Sequence, residues 1–168
     1  MSTAAAMKMD TEALRRAFAQ APDIVMDHLA AGVTESLFLL LQETVERTPR
    51  VSSSLVNSIG VEDVETTGTL ITGRIGTAHL YAEPVETGTR PHWVPLPPLL
   101  AWVKARGLQP KDGQTVEDIA RAIQFKIAAH GTEGAHMFER AFTDNEAQVE
   151  QILTAAAQRG IEAVAGMA

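Results

Sequence analysis

The chain contains no cysteine. That absence removes disulfides, thiolate nucleophiles and Cys-ligated zinc together, and it fits folding in a reducing cytoplasm. Aromatic residues are scarce, at 5%, so an aliphatic core with closely packed helices is expected. Positive charge is in deficit: 14 Lys and Arg against 21 Asp and Glu give a formal charge of −7. Long-range electrostatics therefore disfavours a phosphate backbone or an anionic membrane as the main partner. No apolar run approaches the roughly 20 residues of a membrane helix, and Met1 to Met9 is too short and weak for a signal-peptide core. A soluble, intracellularly folded protein is expected. Internal repeats, low-complexity blocks and long linkers are also missing. One domain over residues 1–168 is the reading, with 1–9 a frayed end, 10–142 the core and 143–168 a C-terminal helix and tail. Such a length buries about two-thirds of the surface that the unfolded chain exposes.

The most constrained stretch present runs from Tyr81 to Pro95, YAEPVETGTRPHWVP. Gly88 permits backbone angles closed to other residues, while Pro84, Pro91 and Pro95 each fix φ and withhold a donor. Glu86, Arg90 and His92 place charge beside them, with an ion pair between Glu86 and Arg90 as one possibility.

Around that stretch the periodicity predicts an α+β fold: a long N-terminal helix packed on a small antiparallel sheet, followed by two to three further helices. Asp10 to Gln20 reads as a short amphipathic helix with Leu14 and Phe18 on one face and Arg15 and Arg16 opposite. Pro22-Asp23 restarts the pattern. From Asp23 to Arg47, Val25, Leu29, Val33, Leu37, Leu40, Leu41 and Val45 recur at three and four, one apolar stripe about 37 Å long at 1.5 Å per residue. Gly32 weakens its middle by about 1 kcal/mol, and Pro49 stops it. Ser52-Ser53-Ser54 reads as a loop, with no G-x-S-x-G elbow to make a nucleophile. Val56 to Val64 and Thr69 to Thr77 favour strands joined by a hairpin loop at Glu65 to Gly68, and a third strand is expected around His79 to Glu86.

Leu96 to Arg106 reads as a helix that starts on prolines and ends at Gly107. Lys111 to Gly113 is a turn, Thr115 an N-cap with Asp118 nearby, and Val116 to His130 a helix with the stripe Ile119, Ala122, Ile123, Lys126 and Ile127, closed by Gly131. Phe138 to Arg159 reads as the last helix, with Phe138, Phe142, Val149, Ile152 and Leu153 inside and Gly160 as its end. Ile161 to Ala168 remains as a short apolar tail or a contact for another subunit.

Chemistry is thinly signalled. His79, His92, His130 and His136, with Glu83 and Glu86, are the residue types for a divalent-metal site, but no H-E-x-x-H or H-x-H spacing fixes two ligands on one face. Surface histidines are the favoured reading. Glu86 and His92 are the candidate acid/base pair of a small metal-dependent hydrolase, a minor alternative in the absence of a nucleophile, phosphate loop or cofactor fingerprint. His130 to Gly134 lacks the lysine of a phosphate-binding loop and reads as a helix cap and flexible turn. No catalytic residue, metal ligand or cofactor is assigned.

Three elements, in order, resemble the head-to-tail joining, neck and tail-completion family of long-tailed bacteriophages, of the lambdoid siphophage tail-component type. Thr48, Pro49, Leu55, Ser58 and Ile59 match T-P-x-D-T-G-x-L-x-x-S-I; Tyr81, Ala82, Val85, Glu86, Gly88 and Thr89 match Y-A-x-x-V-E-x-G-T; Ile123, Ile127, Gly131, Thr132, Gly134 and Phe138 match the late I-x-x-x-I, G-T-x-G and F. The similarity spans about Asp23 to Phe142. Val51-Ser52-Ser53 stands where the family has Asp-Thr-Gly, and His136-Met137 where Arg-Pro is common.

The resemblance implies a non-enzymatic virion structural protein at the neck, assembled in the bacterial host cytoplasm. It further implies a homo-oligomeric ring that meets a tail terminator, tail tube or head-completion protein and lets DNA pass without tight binding, with no membrane contact. An assembly chaperone or adaptor that leaves before the virion matures is the alternative. Tyr81, Val85, Glu86, Gly88, Thr89, Arg90, His92 and Trp93 are then expected to form an intersubunit or partner-facing loop, which a Gly88→Val variant that folds but fails to assemble would support.

Overall fold

The computed structural model describes residues 11–49, 53–111 and 113–167. The frayed end at 1–9, the Val51-Ser52 departure and the side chains of Leu14, Arg16 and Phe18 lie outside the described residues. In chain order the elements are α1 (Thr11–Arg47), α2 (Ser53–Ser58), β1 (Gly60–Val61), β2 (Glu65–Thr67), β3 (Leu70–Thr72) and β4 (Ile75–Gly76), then α3 (Ala82–Thr87), β5 (Gly88–Thr89), α4 (Leu96–Ala105), α5 (Val116–His130), β6 (Thr132–Glu133) and α6 (Met137–Ala165). The protein is α+β, with a long N-terminal helix and small antiparallel ladders. Its residues gather into two compact units, one from the chain up to Leu39 with Val61–Arg74 and Asn145 onward, the other from Leu40–Gly60 and Ile75–Asp144.

Helix α1 runs through Pro22 instead of restarting there, 37 residues in one element. A proline inside a helix removes one i→i−4 bond and costs about 3 kcal/mol. Pro22 is exposed, and the turns on both sides of it are helical. Buried Ser36 and Thr44 return their hydroxyls to the carbonyls of Gly32 (2.9 Å) and Leu40 (2.7 Å), so polar side chains sit inside without an unmatched donor. Within α1, the stretch Ala19–Arg47 holds an 18-residue window of mean hydropathy 1.6, long and apolar enough to cross a membrane by length and composition. Asp27-His28 and Thr34-Glu35-Ser36 interrupt the apolar residues while the window's average stays high, so the expectation that no apolar run approaches a membrane span does not hold for this helix. A mostly buried core helix of a water-soluble fold and a signal sequence pass the same test; here 22% of the apolar window is buried.

In the first unit, α1 and α6 lie antiparallel on glycines. A Cβ on Gly32 would come 2.6 Å from the Cβ of Ala156, and one on Gly160 would come 3.0 Å from the Cα of Val25. Gly160 therefore does not end the last helix. It lies within α6, where a side chain would push the two backbones apart, and the helix continues to Ala165. Strands β2 and β3 pair antiparallel, Glu65 with Thr72 and Thr67 with Leu70, so the turn falls at Gly68-Thr69 and most of the expected loop is strand. Gly73 then interrupts the long strand expected from Thr69 to Thr77: a Cβ there would sit 2.5 Å from Leu37 Cδ1 and 2.9 Å from Val33 Cγ1. Close backbone approach to α1 takes the place of ladder pairing.

In the second unit the serine-rich connection is helical from Ser53, burying Leu55, so the loop expectation fails for Ser53 and Ser54 and the strand expectation for Val56 to Ser58. Helices α4 and α5 hold the core cluster Leu99, Val103 and Ala120. Pro97 and Pro98 fall in the first turn of α4, where N–H groups have no helical acceptor. Thr115 and Asp118 form a complete capping box on α5, and Gly107 and Gly131 both have positive φ just past a helix. The buried positions of α5 include Ala120 and Gln124, whereas Ala122 and Lys126 of the expected stripe are exposed. Likewise α6 buries Met137, Ala141 and Ala156 but leaves Phe142 exposed. The amide of Gln124 is buried because it donates to the Val94 carbonyl at 2.6 Å. Arg47 bonds Glu43 and also Asp144 (3.1 Å), contacts that raise its pKa above the ordinary guanidinium value.

Candidate functional site

The stretch expected as a third strand is instead helix α3, with Tyr81 already in the right-handed helical region at φ −86°, ψ −2°. Pro84 lies in the first turn, where its missing N–H costs nothing, and Glu83 favours that end of the helix dipole. The helix orients Glu86 toward the start of α6. The N–H of Phe138 donates to Glu86 Oε2 and that of Glu139 to Oε1, both at 3.0 Å. One carboxylate thus satisfies two of the amides that a helix start leaves open. Backbone bonds run alongside: Ala135 N–H to the Val85 carbonyl (2.7 Å) and His136 N–H to the Glu86 carbonyl (3.1 Å). Glu86, expected as a possible partner of Arg90, is committed to this cap.

Beyond α3 the chain passes into β5, which pairs antiparallel with β6, Gly88 opposite Glu133 and Thr89 opposite Thr132. The crossing is built on bare backbone. A Cβ on Gly88 would strike the carbonyl of Thr132, one on Gly131 that of Thr89, and one on Gly134 that of Glu86. Gly88 (φ 79°, ψ −174°) and Gly131 (φ 76°, ψ −156°) also occupy a region that is essentially glycine-only. The expected flexible turn after His130 is therefore a clamped strand. Thr89 and Thr132 add a hydroxyl–hydroxyl bond at 2.9 Å. Gly88 cannot separate assembly from folding, because a valine there meets backbone.

From this junction a short loop projects. His92 Nδ1 lies 2.9 Å from the Arg90 carbonyl oxygen and 3.4 Å from Thr89 Oγ1, and the His92 N–H reaches the Ile127 carbonyl at 3.4 Å. Trp93 meets Phe125 of α5 edge-to-face, ring centroids 5.6 Å apart, yet the two residues stay 61% and 63% exposed. Tyr81 is exposed as well. A loop tied to α5 by the His92 N–H that presents Trp93 to solvent beside Phe125 suits recognition of a partner surface, since aromatic anchors dominate binding energy at little entropic cost.

Beside it, α4, α5 and the start of β6 line a cleft of about 650 Å³ with walls from Leu99, Trp102, Ile123 and Ile127, charges from Lys126 and Glu133, and the imidazole of His130.

Of the residues expected to interact, Tyr81, Arg90, His92 and Trp93 are exposed, while Val85, Glu86, Gly88 and Thr89 build the junction beneath them. His92 and Glu86 turn to different partners, the Arg90 carbonyl and the amides of α6. Among the described residues no three His, Cys, Asp or Glu side chains converge on a common point. Phe125 escaped the sequence reading; its signal was an aromatic residue lying off the apolar stripe of α5.

Comparison with protein-family models, curated proteins and solved structures finds no match.

Proposed function

We propose that the chain is a non-enzymatic structural protein of a long-tailed bacteriophage, acting in head-tail joining or tail completion at the neck as part of a ring. The observation that carries the reading is the meeting of the most specific segment of the family resemblance, around Val85-Glu86-Thr87-Gly88-Thr89, with the late segment that also matches. Tyr81–Thr89 and Gly131–Phe138 are joined by the β5–β6 pairing, the three glycine contacts and the Glu86 cap on α6. Two sequence signatures that interlock in space form one device, and that device supports the exposed Arg90–Trp93 loop. Rings need unlike faces on one subunit, and a rigid aromatic loop supplies one of them. The acidic balance of −7 suits a conduit that does not retain DNA.

Electron microscopy of particles produced without this protein tests the reading. Separate filled heads and free tails are expected; normal virions would overturn it. If joining requires the chain but purified virions lack it, its role is that of an adaptor that departs.

A further inference from the structure

We propose that the α4–α5 cleft of one copy of this chain receives the last turns of α6 from a second copy, with Lys126 facing Glu162. This deepens the ring reading and rests on it in taking the occupant to be another copy.

The two surfaces are complementary in charge and in polarity. Residues 88–111, which form the loop and α4 beside the cleft, contain Arg90, Lys104, Arg106 and Lys111 and no Asp or Glu, while the cleft's own lining holds Lys126 on α5 and Glu133 on β6. Residues 145–168 carry Glu146, Glu150 and Glu162 against the single cation Arg159, and Arg159 lies 3.8 Å from Glu35. Within a chain of net charge −7, such a division sets cations beside the cleft of one copy and an acidic element on the next, the arrangement of a head-to-tail contact. Apolar surface matches too. The cleft presents Leu99, Trp102, Ile123 and Ile127, and the end of α6 leaves Ile161 62% and Met167 45% exposed. At about 650 Å³ the cleft has room for a few aliphatic side chains. Because α6 continues as helix past Gly160 to Ala165, Ile161 and Glu162 are presented on an ordered element and little further ordering is needed on binding. A helix laid in an apolar groove is a recurring mode of association.

Charge exchange tests the contact, since Lys126 and Glu162 are both exposed and neither change should disturb folding. Native mass spectrometry and sedimentation of the full chain are expected to show self-association. Lys126→Glu and Glu162→Lys should each weaken it by roughly tenfold or more, and the double exchange should restore it, with the same thermal midpoint in all four proteins at concentrations low enough that each is monomeric. The contact is overturned if either single exchange leaves association unchanged, or if the double is no stronger than the singles. A wild-type chain that stays monomeric, including one carrying a co-purified small molecule or a different protein in the cleft, overturns it as well. The two readings fail separately: normal virions without the chain sink the neck role while leaving the contact intact, and a chain needed for joining but indifferent to the exchanges does the reverse.

Discussion

Glu86 accepts the backbone N–H of Phe138 across 52 positions of sequence, at 3.0 Å, and so fixes where the last helix begins. A side chain expected to face a partner instead caps an element of its own chain.

Glu86→Ala is expected to destabilise the protein by about 1–2 kcal/mol, the loss of a charged cap on two amides. Glu86→Gln, which keeps an acceptor, should cost less. Urea denaturation measures both, and equal effects would show that the side chain acts by packing alone.

At the glycine crossing, Gly88→Ala or Gly131→Ala should cost about 3 kcal/mol or more, combining a forbidden backbone region with a Cβ driven into a carbonyl. Soluble, fully stable Gly88→Ala protein would contradict the clamped junction.

Gly32→Ala improves helix propensity by about 1 kcal/mol, yet its Cβ would lie 2.6 Å from that of Ala156. Net destabilisation of about 1–3 kcal/mol is expected. Exchanging the pair, Gly32→Ala with Ala156→Gly, should recover most of it in a double-mutant cycle.

Trp93→Ala removes one ring of an exposed pair, so its stability cost should stay near 1 kcal/mol or below. Under the neck reading it should nevertheless reduce joined particles sharply. Wild-type particle yield with this variant would remove the loop from the assembly surface.

The Thr115 hydroxyl and amide hold Asp118 below its ordinary pKa. A carboxylate depressed in the folded state stabilises above its unfolded pKa and loses that contribution as pH falls through the folded value. The stability gap between wild type and Thr115→Ala should therefore be present at neutral pH and shrink below about pH 4. A gap that widened in acid would refute the assignment.

What could be read from the sequence was what neighbours along the chain decide. The α1 stripe, the Thr115–Asp118 box and the helix stops at Gly107 and Gly131 all depend on residues within a few positions of one another. What escaped was set by distant partners. Gly160 looks like a stop and lies inside a helix because Val25 approaches it. Val85 has strand propensity, yet α3 forms where Glu86 can reach α6. Gly73 breaks a strand because of side chains on α1. For the site, the right stretch was legible, but its division into a buried foundation and an exposed tip was not, since that depends on which carbonyls the glycines meet.

The β5–β6 crossing is held mainly by main-chain atoms and by residues that have no side chain. Arg90, Pro91 and Trp93 project from it without contributing to the crossing itself. Under the neck reading their identities can therefore drift with the partner while the scaffold stays the same, a new docking specificity requiring changes at three or four exposed positions and none underneath them.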